Sequence, residues 1–152
     1  MEFHEFGNIQ NPKVLLIHGM AVTWECFEPL IDQLAKQNYL IVPALDGHNP
    51  LKQKDFECLN HEVKRIEDYI MNTYLPKLHG AYGFSMGGTI LLKLLANGKI
   101  HFPNVILDAA YYLPLGIYSK ATSALITNIL TDIREERSIH PFLKQLLLYS
   151  NI

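Results

Sequence analysis

The chain alternates between short apolar runs and longer segments in which apolar residues recur every three or four positions. The short runs are continuous, as expected of strands that are buried on both faces. The longer segments predict helices with one apolar face: one begins near Phe27, one spans Phe56 to Ile70, and one spans Met86 to Ala96. Strands alternating with helices predict right-handed crossovers and a mostly parallel sheet with helices on both faces. The four predicted strands cover residues 14–17, 39–42, 81–84 and 105–107.

The pattern changes near residue 111, after which no further strand is evident. Residues 117–133 and residues 141–149 both predict helices. The chain therefore divides into an α/β core at residues 1–110 and a helical lid segment at residues 111–152 that packs on the core. With 152 residues in all, the two parts are expected to form a single domain of ordinary size.

Composition narrows the class of protein without indicating its chemistry. A hydrophobic content of 49% is sufficient for a packed core, and a formal net charge of −2 gives no electrostatic reason to expect nucleic acid or an anionic membrane as a partner. No apolar stretch is long enough to span a bilayer, and the N-terminus lacks a signal core. Cys26 and Cys58 have neither metal-like nor disulfide-like spacing. We therefore expect a cytoplasmic protein that needs no metal or cofactor.

The segment Gly83-Phe84-Ser85-Met86-Gly87 carries the candidate chemistry. Ser85 stands between a predicted strand and a predicted helix, at the carboxyl edge of the sheet where sites form in open parallel sheets. A sharp turn there would lift the hydroxyl out of the sheet, and Gly83 and Gly87 suit a turn with no room for side chains. The N-terminus of the following helix favours developing negative charge. The pattern predicts a nucleophile elbow, and the alternative is an ordinary serine N-cap.

Four segments in this order, VLLIHGM, LIVPALDGHN, GAYGFSMGGT and NVILDAA, resemble the α/β-hydrolase family over nearly the whole chain. The elbow and His18-Gly19 are the most specific parts of the resemblance. It implies a three-layer core in which the backbone N–H groups of Met20 and Met86 form the oxyanion hole. The side chains of the two methionines are expected only to pack.

The resemblance also assigns the histidines of the N-terminal half. His18 lies too early in the chain for the family's base, and in similar proteins this histidine shapes the loop. Asp46-Gly47-His48 resembles the family's D-x-x-G-H-G loop, with Asn49 where the last glycine usually stands. His48 is therefore expected to be structural or to line the pocket.

In this family the nucleophile is followed in the chain by an acid and then by a histidine base. Asp108, directly after the strand at residues 105–107, is the candidate acid, although the interpretation that it merely ends the strand is favoured. His140 is the candidate base, although its place before Pro141 also suits a helix start. His101 enters a strand at the opposite edge of the sheet. We expect a truncated form of the fold that lacks the C-terminal strands.

Two functions follow from these residues. The first is a serine hydrolase that cleaves carboxylic esters or related acyl compounds through an acyl-enzyme at Ser85, with no cofactor. Its substrate would contact Gly19, Trp24, Tyr111 and Tyr112, although the aromatic side chains would equally serve to pack the lid. The second is a catalytically incomplete binding module that keeps the pocket and lacks the base. A nucleotide-binding domain is disfavoured because no glycine-rich turn follows the first predicted strand.

The strand at residues 105–107 is expected to lie at an open edge of the sheet. An open apolar edge attracts another chain, and the segment at residues 117–149 is rich in leucine and isoleucine. We therefore expect a homodimer, formed through the edge strand or the lid helices with residues 146–148 near the contact. The alternative is a monomer in which the lid helices cover the edge.

Overall fold

The computed structural model describes residues 1–48 and 55–111, which form a five-stranded sheet with helices on both faces. Asn49, Tyr112, His140 and the two predicted lid helices lie outside these residues. Within the described ranges, no helix combines the length and apolar character needed to cross a membrane. The strands are β1 (Glu2–Phe6), β2 (Lys13–Ile17), β3 (Tyr39–Ala44), β4 (Gly80–Phe84) and β5 (Asn104–Asp108), and the helices are α1 (Glu28–Leu34), α2 (Leu59–Thr73) and α3 (Met86–Asn97).

The strands lie in the order β1-β3-β2-β4-β5. The four strands from β2 to β5 are parallel, as the alternation of strands and helices predicts, while β1 pairs with β3 in antiparallel register. The pattern of the sequence did not predict β1. This strand, EFHEF, mixes polar with apolar residues, so it lacks the continuous apolar run that marks a buried strand.

Alternate residues of the central strands supply the two faces of the sheet. Leu15 and Ile17 of β2 pack in the cluster that α2 and α3 cover, while Leu16 packs on the opposite face with Phe27 and Ile31. A short 3₁₀ helix at Trp24–Phe27 leads into α1 on that opposite face. This arrangement confirms the predicted α/β architecture with three layers.

Within the described residues, the predicted helix boundaries hold to within a residue except in α2, which begins after Phe56 and ends at Thr73 rather than Ile70. Helix α2 begins at Leu59, and Phe56 lies in the segment before it, where its ring packs edge-on against His48 at a centroid distance of 5.9 Å. A β-carbon at Gly47 would lie 2.7 Å from the Phe56 side chain. Phe56 therefore shares the three- and four-residue spacing of the helix but serves as a support beneath the loop after β3.

Strand β5 is the open edge of the described sheet. It pairs only with β4, and Ile106 and Leu107 are 62% and 41% exposed. Beside it, on the face that α1 covers, lies an apolar groove of about 310 Å³ lined in part by Leu30, Tyr82 and Ile106. The expectation that this strand stands at an edge is thus met within the described residues.

Candidate active site

Ser85 occupies a strained turn between β4 and α3. Its backbone has φ 51° and ψ −114°, a conformation that residues with a β-carbon rarely adopt. Although Ser85 stands at the N-cap position of α3, its side chain makes no capping hydrogen bond. The backbone strain is therefore not explained by capping, and strain of this kind is characteristic of functional sites.

The glycines on either side of Ser85 leave no space for side chains. A β-carbon at Gly87 would lie 2.2 Å from the Ile17 carbonyl oxygen, and one at Gly83 would lie 2.6 Å from the Gly87 carbonyl oxygen. Real β-carbons do not approach backbone atoms so closely. The sharp turn consequently depends on glycine at both positions, which is the physical reason for the spacing seen in the sequence.

The end of β5 holds the turn from the other side. The Ser85 N–H donates to the Asp108 carbonyl oxygen at 2.7 Å, and the chain then turns back over the first turn of α3 through Ala109, whose φ is 49°. The Thr89 hydroxyl lies 3.0 Å from the Tyr111 carbonyl oxygen and 3.3 Å from the Tyr111 nitrogen. These bonds fix the backbone of the turn at Ser85 relative to β5.

The loop after β2 borders Ser85 directly. A β-carbon at Gly19 would lie 2.8 Å from the Phe84 ring and 3.3 Å from the Ser85 β-carbon. Met20 follows on this loop with a partly exposed side chain, while Met86 is buried as the first residue of α3. Of the two expected oxyanion donors, Met20 thus follows a glycine that packs against Ser85, and Met86 directly follows Ser85.

His18 is fully buried, and both of its ring nitrogens are engaged. The Leu45 N–H lies 3.1 Å from Nε2, and Nδ1 lies 2.9 Å from the Gly19 carbonyl oxygen. Burial lowers the pKa of His18 to about 4, with a smaller contribution in the same direction from the neighbouring His48. The ring is therefore neutral at pH 7 and has no free nitrogen with which to serve Ser85 as a base.

The depressed pKa of His18 predicts a loss of stability in mild acid. Its unfolded pKa is 6.5, so protons bind the unfolded chain first as the pH falls from about 6.5 to 4. The contribution of His18 to the free energy of unfolding is fully present above pH 6.5, and it falls by about 3 kcal/mol as the pH falls to 4. Urea unfolding at several pH values measures this slope. The non-titrating His18→Asn chain is expected to show a shallower slope, whereas the control Gln37→Asn, at an exposed residue that does not titrate, is not; equal slopes would contradict the assignment.

The loop after β3 is tied to α2 by a buried network of charges. Asp46 pairs with Arg65, and the Asp46 N–H donates to the Glu62 carboxylate at 3.1 Å. The half-buried His48 bonds through Nδ1 to the Asp46 carbonyl oxygen at 2.9 Å, and burial lowers its pKa. The sequence pattern did not predict this network. The three-residue step between Glu62 and Arg65 is its only local signal, and nothing in that step points to Asp46.

Asp108 uses its carboxylate to bind Tyr82. The Tyr82 hydroxyl donates to Oδ2 at 2.7 Å, and burial together with this carboxylate raises the pKa of Tyr82 to about 12. Within the described ranges, no histidine hydrogen-bonds to either Ser85 or Asp108. His101 lies before β5, at the amino edge of the sheet, as expected.

The structure separates the residues expected to contact substrate. Gly19 lies beside Ser85, and the exposed Tyr111 is joined to the first turn of α3 through Thr89. Trp24 instead stacks on His4 at a centroid distance of 4.0 Å and on Phe6 at 5.8 Å, so its contacts are with β1. In the described part of the chain, no three His, Cys, Asp or Glu side chains are grouped so as to hold a metal ion.

Comparison with known proteins places this geometry in a fold class. The sequence matches no protein-family model and no curated protein. Among solved structures, it resembles a protein from Desulfitobacterium hafniense assigned to the α/β-hydrolase family, with a TM-score of 0.81 and 24% identity over 93% of this chain and 57% of that chain. A lipase-esterase related protein from Clostridium acetobutylicum matches with a TM-score of 0.64 and 18% identity, over 95% of this chain and 57% of that one.

A third similar structure is a thioesterase domain from the curacin biosynthetic pathway. It matches with a TM-score of 0.62 and 18% identity, over 81% of this chain and 46% of that domain's chain. The chain thus spans about half the length of the solved structures it resembles. The protein has the α/β-hydrolase fold.

Proposed function

We propose that this protein is a serine hydrolase that cleaves carboxylic esters or related acyl compounds through an acyl-enzyme at Ser85. The observation that carries the proposal is the positive φ of Ser85, held between two obligatory glycines at the start of α3 with no capping bond to account for it. The names of the similar structures refer to lipase, esterase and thioesterase activities, all of which act on acyl groups. This supports the substrate class.

The proposed reaction begins when the Ser85 hydroxyl attacks the acyl carbonyl. The backbone N–H groups of Met20 and Met86 would bind the resulting oxyanion, and the N-terminus of α3 adds to the favourable field. The alcohol or thiol then leaves, and water releases the acid from Ser85. The proton of Ser85 requires a base beyond the described histidines. His140, which lies outside the described residues, remains the candidate in this sequence, and Asp108 the candidate acid.

A non-catalytic binding module is the second candidate function. It is favoured by one observation: the carboxylate of Asp108 is bound by Tyr82, and among the described residues no imidazole accompanies Ser85. A chain of this kind would keep the pocket and the oxyanion donors while lacking the proton acceptor. It would bind acyl compounds without turning them over.

Acylation by p-nitrophenyl acetate distinguishes the two functions. We expect slow acetylation of Ser85, with turnover close to the uncatalysed rate, because a site without its base keeps only the contribution of the oxyanion hole and of binding. Trypsin cleaves after Lys77 and Lys93, so the peptide of residues 78–93 contains Ser85 as its only serine. Mass spectrometry of this peptide detects the acetyl group.

An unmodified peptide after prolonged incubation would favour the binding module, whereas brisk turnover with a bell-shaped pH profile would show that a histidine of this chain serves as base.

We also propose that the chain forms a homodimer through the open edge of β5. The exposure of Ile106 and Leu107 on a strand with one neighbour supports this contact. Sedimentation equilibrium at micromolar concentration is expected to give a species of twice the 17.4 kDa chain mass. Ile106→Lys, which adds a charge to the edge, is expected to give the monomer, and the control Met71→Lys on α2 is not. A parent chain that stays at 17.4 kDa on concentration would exclude the dimer.

A further inference from the structure

We infer that the amino edge of the sheet, opposite the edge that carries Ser85, is a surface that binds the anionic headgroups of a lipid bilayer. Four segments meet at this edge, where the parallel strands begin and the helices end: residues 7–13, 35–38, 74–79 and 98–103. Together we call them the basic edge. The inference rests on their charges and exposed side chains, and it is independent of the function proposed for Ser85.

The distribution of charge sets the basic edge apart. Each of its four segments contains one lysine and no acid. The lysines are Lys13, Lys36, Lys77 and Lys99. At the opposite edge, the described residues of segments 18–27, 45–48 and 55–58 contain no lysine and four acids, which are Glu25, Asp46, Asp55 and Glu57. The formal net charge of −2 therefore conceals two edges of opposite charge.

The four segments lie against one another. The His79 N–H donates to the Lys13 carbonyl oxygen at 2.8 Å, and the side-chain amide of Asn104, directly after the last segment, donates to the His79 carbonyl oxygen at 2.8 Å. A β-carbon at Gly7 would lie 2.3 Å from the Asn38 carbonyl oxygen, so the first segment packs on the second. A cleft of about 500 Å³ lies between the first, third and fourth segments. The lysines therefore belong to one continuous surface.

Two carboxylates beside the basic edge are already engaged. Glu5 accepts hydrogen bonds from three tyrosine hydroxyls, and Glu67 pairs with Lys99 at 2.6 Å. Among the described residues, neither Lys36 nor Lys77 forms an ion pair, and both are exposed. Lys36 follows α1, where a cation also stabilises the helix C-terminus, but Lys77 lies beyond the last turn of α2. Positive charge is thus available at this surface for an anionic partner.

Exposed aliphatic side chains accompany the lysines. Leu75 is 80% exposed and Ile9 is 51% exposed. The Lys77 N–H donates to the Leu75 carbonyl oxygen at 2.7 Å. The Lys13 ammonium donates to the Ile9 carbonyl oxygen at 3.0 Å, so each aliphatic residue lies next to a lysine of its own segment.

This combination matches the boundary between the headgroups and the acyl chains of a bilayer. Aliphatic side chains insert there, and ammonium groups bind the phosphate and carboxylate groups of anionic lipids. A nucleic acid would pair with the lysines, but it would give no role to Leu75 and Ile9. The bilayer surface is therefore the partner that uses both features of the basic edge.

Docking through the basic edge would place Ser85 away from the bilayer. Strand β4 runs from Gly80, directly after the third segment, to Phe84, directly before Ser85. Five residues of strand span about 17 Å, so the turn at Ser85 lies roughly that far from the basic edge. A membrane-bound chain would then receive its ligands from the aqueous side.

Sedimentation with sucrose-loaded vesicles tests the inference on the full chain. We expect binding to vesicles of phosphatidylcholine mixed with phosphatidylserine and little binding to phosphatidylcholine alone. Raising the salt from about 0.1 M to 1 M is expected to release the chain, because the Debye length falls from about 10 Å to about 3 Å. Failure of the unsubstituted chain to sediment with the anionic vesicles would overturn the inference.

Substitutions at the basic edge separate its two features. Lys36→Gln combined with Lys77→Gln is expected to lower the partition coefficient about 25-fold, at about 5-fold for each lysine near an anionic surface. Leu75→Asn is expected to lower the partition coefficient at unchanged charge, because its aliphatic side chain no longer inserts. A partition coefficient that neither variant lowers would reject the basic edge as the site of contact.

Matched substitutions remove the same groups elsewhere. Lys64→Gln combined with Lys93→Gln takes two lysines from α2 and α3, and Leu30→Asn takes one exposed leucine from α1. Both control chains are expected to bind vesicles like the unsubstituted chain, and losses equal to those at the basic edge would reject the inference. Binding of a single-stranded RNA without binding of anionic vesicles would assign the surface to nucleic acid instead. Ser85→Ala is expected to bind vesicles normally, so a failure of the proposed function leaves this test intact.

Discussion

Ser85→Ala is expected to abolish covalent labelling of the chain by a fluorophosphonate, while the unsubstituted chain is labelled slowly. The reason is the backbone at Ser85, which has a positive φ and places a side chain with no capping bond at the N-terminus of the buried helix α3. Labelling is expected to be slow because, among the described residues, no imidazole is hydrogen-bonded to Ser85 to accept its proton. Labelled protein is quantified by intact-mass spectrometry, and the site is read from the peptide of residues 78–93.

The matched control for this substitution is Thr73→Ala. It removes one exposed hydroxyl at the end of α2, outside the turn at Ser85, so the labelling rate is expected to be unchanged. If Ser85→Ala retained label at the level of this control, another residue would be the reactive group and the proposed acyl-enzyme would be excluded. A fall in both variants would indicate loss of the folded state, which circular dichroism detects.

The sequence predicts well those parts of the protein whose structure is determined by residues that are close together in the chain. Strands β2, β3 and β4 are continuous apolar runs because both faces of the sheet are covered, and the glycines around Ser85 follow from a turn that packs on itself. Strand β1 was not predicted because three of its five residues are polar and it contains no continuous apolar run. Phe56 was assigned to α2 because helical spacing does not reveal where a helix begins.

The contacts that support the site could not be predicted because they join distant parts of the chain. His18 bonds to the Leu45 N–H, 27 residues away, and Tyr82 binds Asp108 across the pair of strands β4 and β5. Neither contact leaves a periodic signal. The role of a side chain depends on the residues that the sheet places beside it. His18 lies close to the turn at Ser85 and yet serves as a structural support, because its ring bonds to Leu45 and Gly19.

The strain at Ser85 is maintained from three sides. The carbonyl oxygens of Ile17, at the end of β2, and of His18, just after it, lie against Gly87. Strand β5 accepts the Ser85 N–H, and the helix that follows Ser85 packs in the core. An unfavourable backbone conformation persists only when its surroundings determine it in this way. Loss of one support is therefore expected to weaken the fold and the site together.

Gly87→Ala tests this coupling and is expected to destabilise the protein by about 3 kcal/mol or more, because the new β-carbon would meet two carbonyl oxygens of the central strand at 2.2 and 2.5 Å. Backbone in the middle of a sheet cannot move aside as a flexible side chain would. Gly98→Ala is the matched control at the other end of the same helix: its φ is +65° and no atom lies within 4 Å of a β-carbon there, so only the conformational cost of about 1 kcal/mol applies. Urea unfolding gives both free energies, and fluorophosphonate labelling is expected to be lost in Gly87→Ala and kept in Gly98→Ala. Equal losses of stability in the two variants would show that the end of β2 lies farther from Gly87 than the structure indicates.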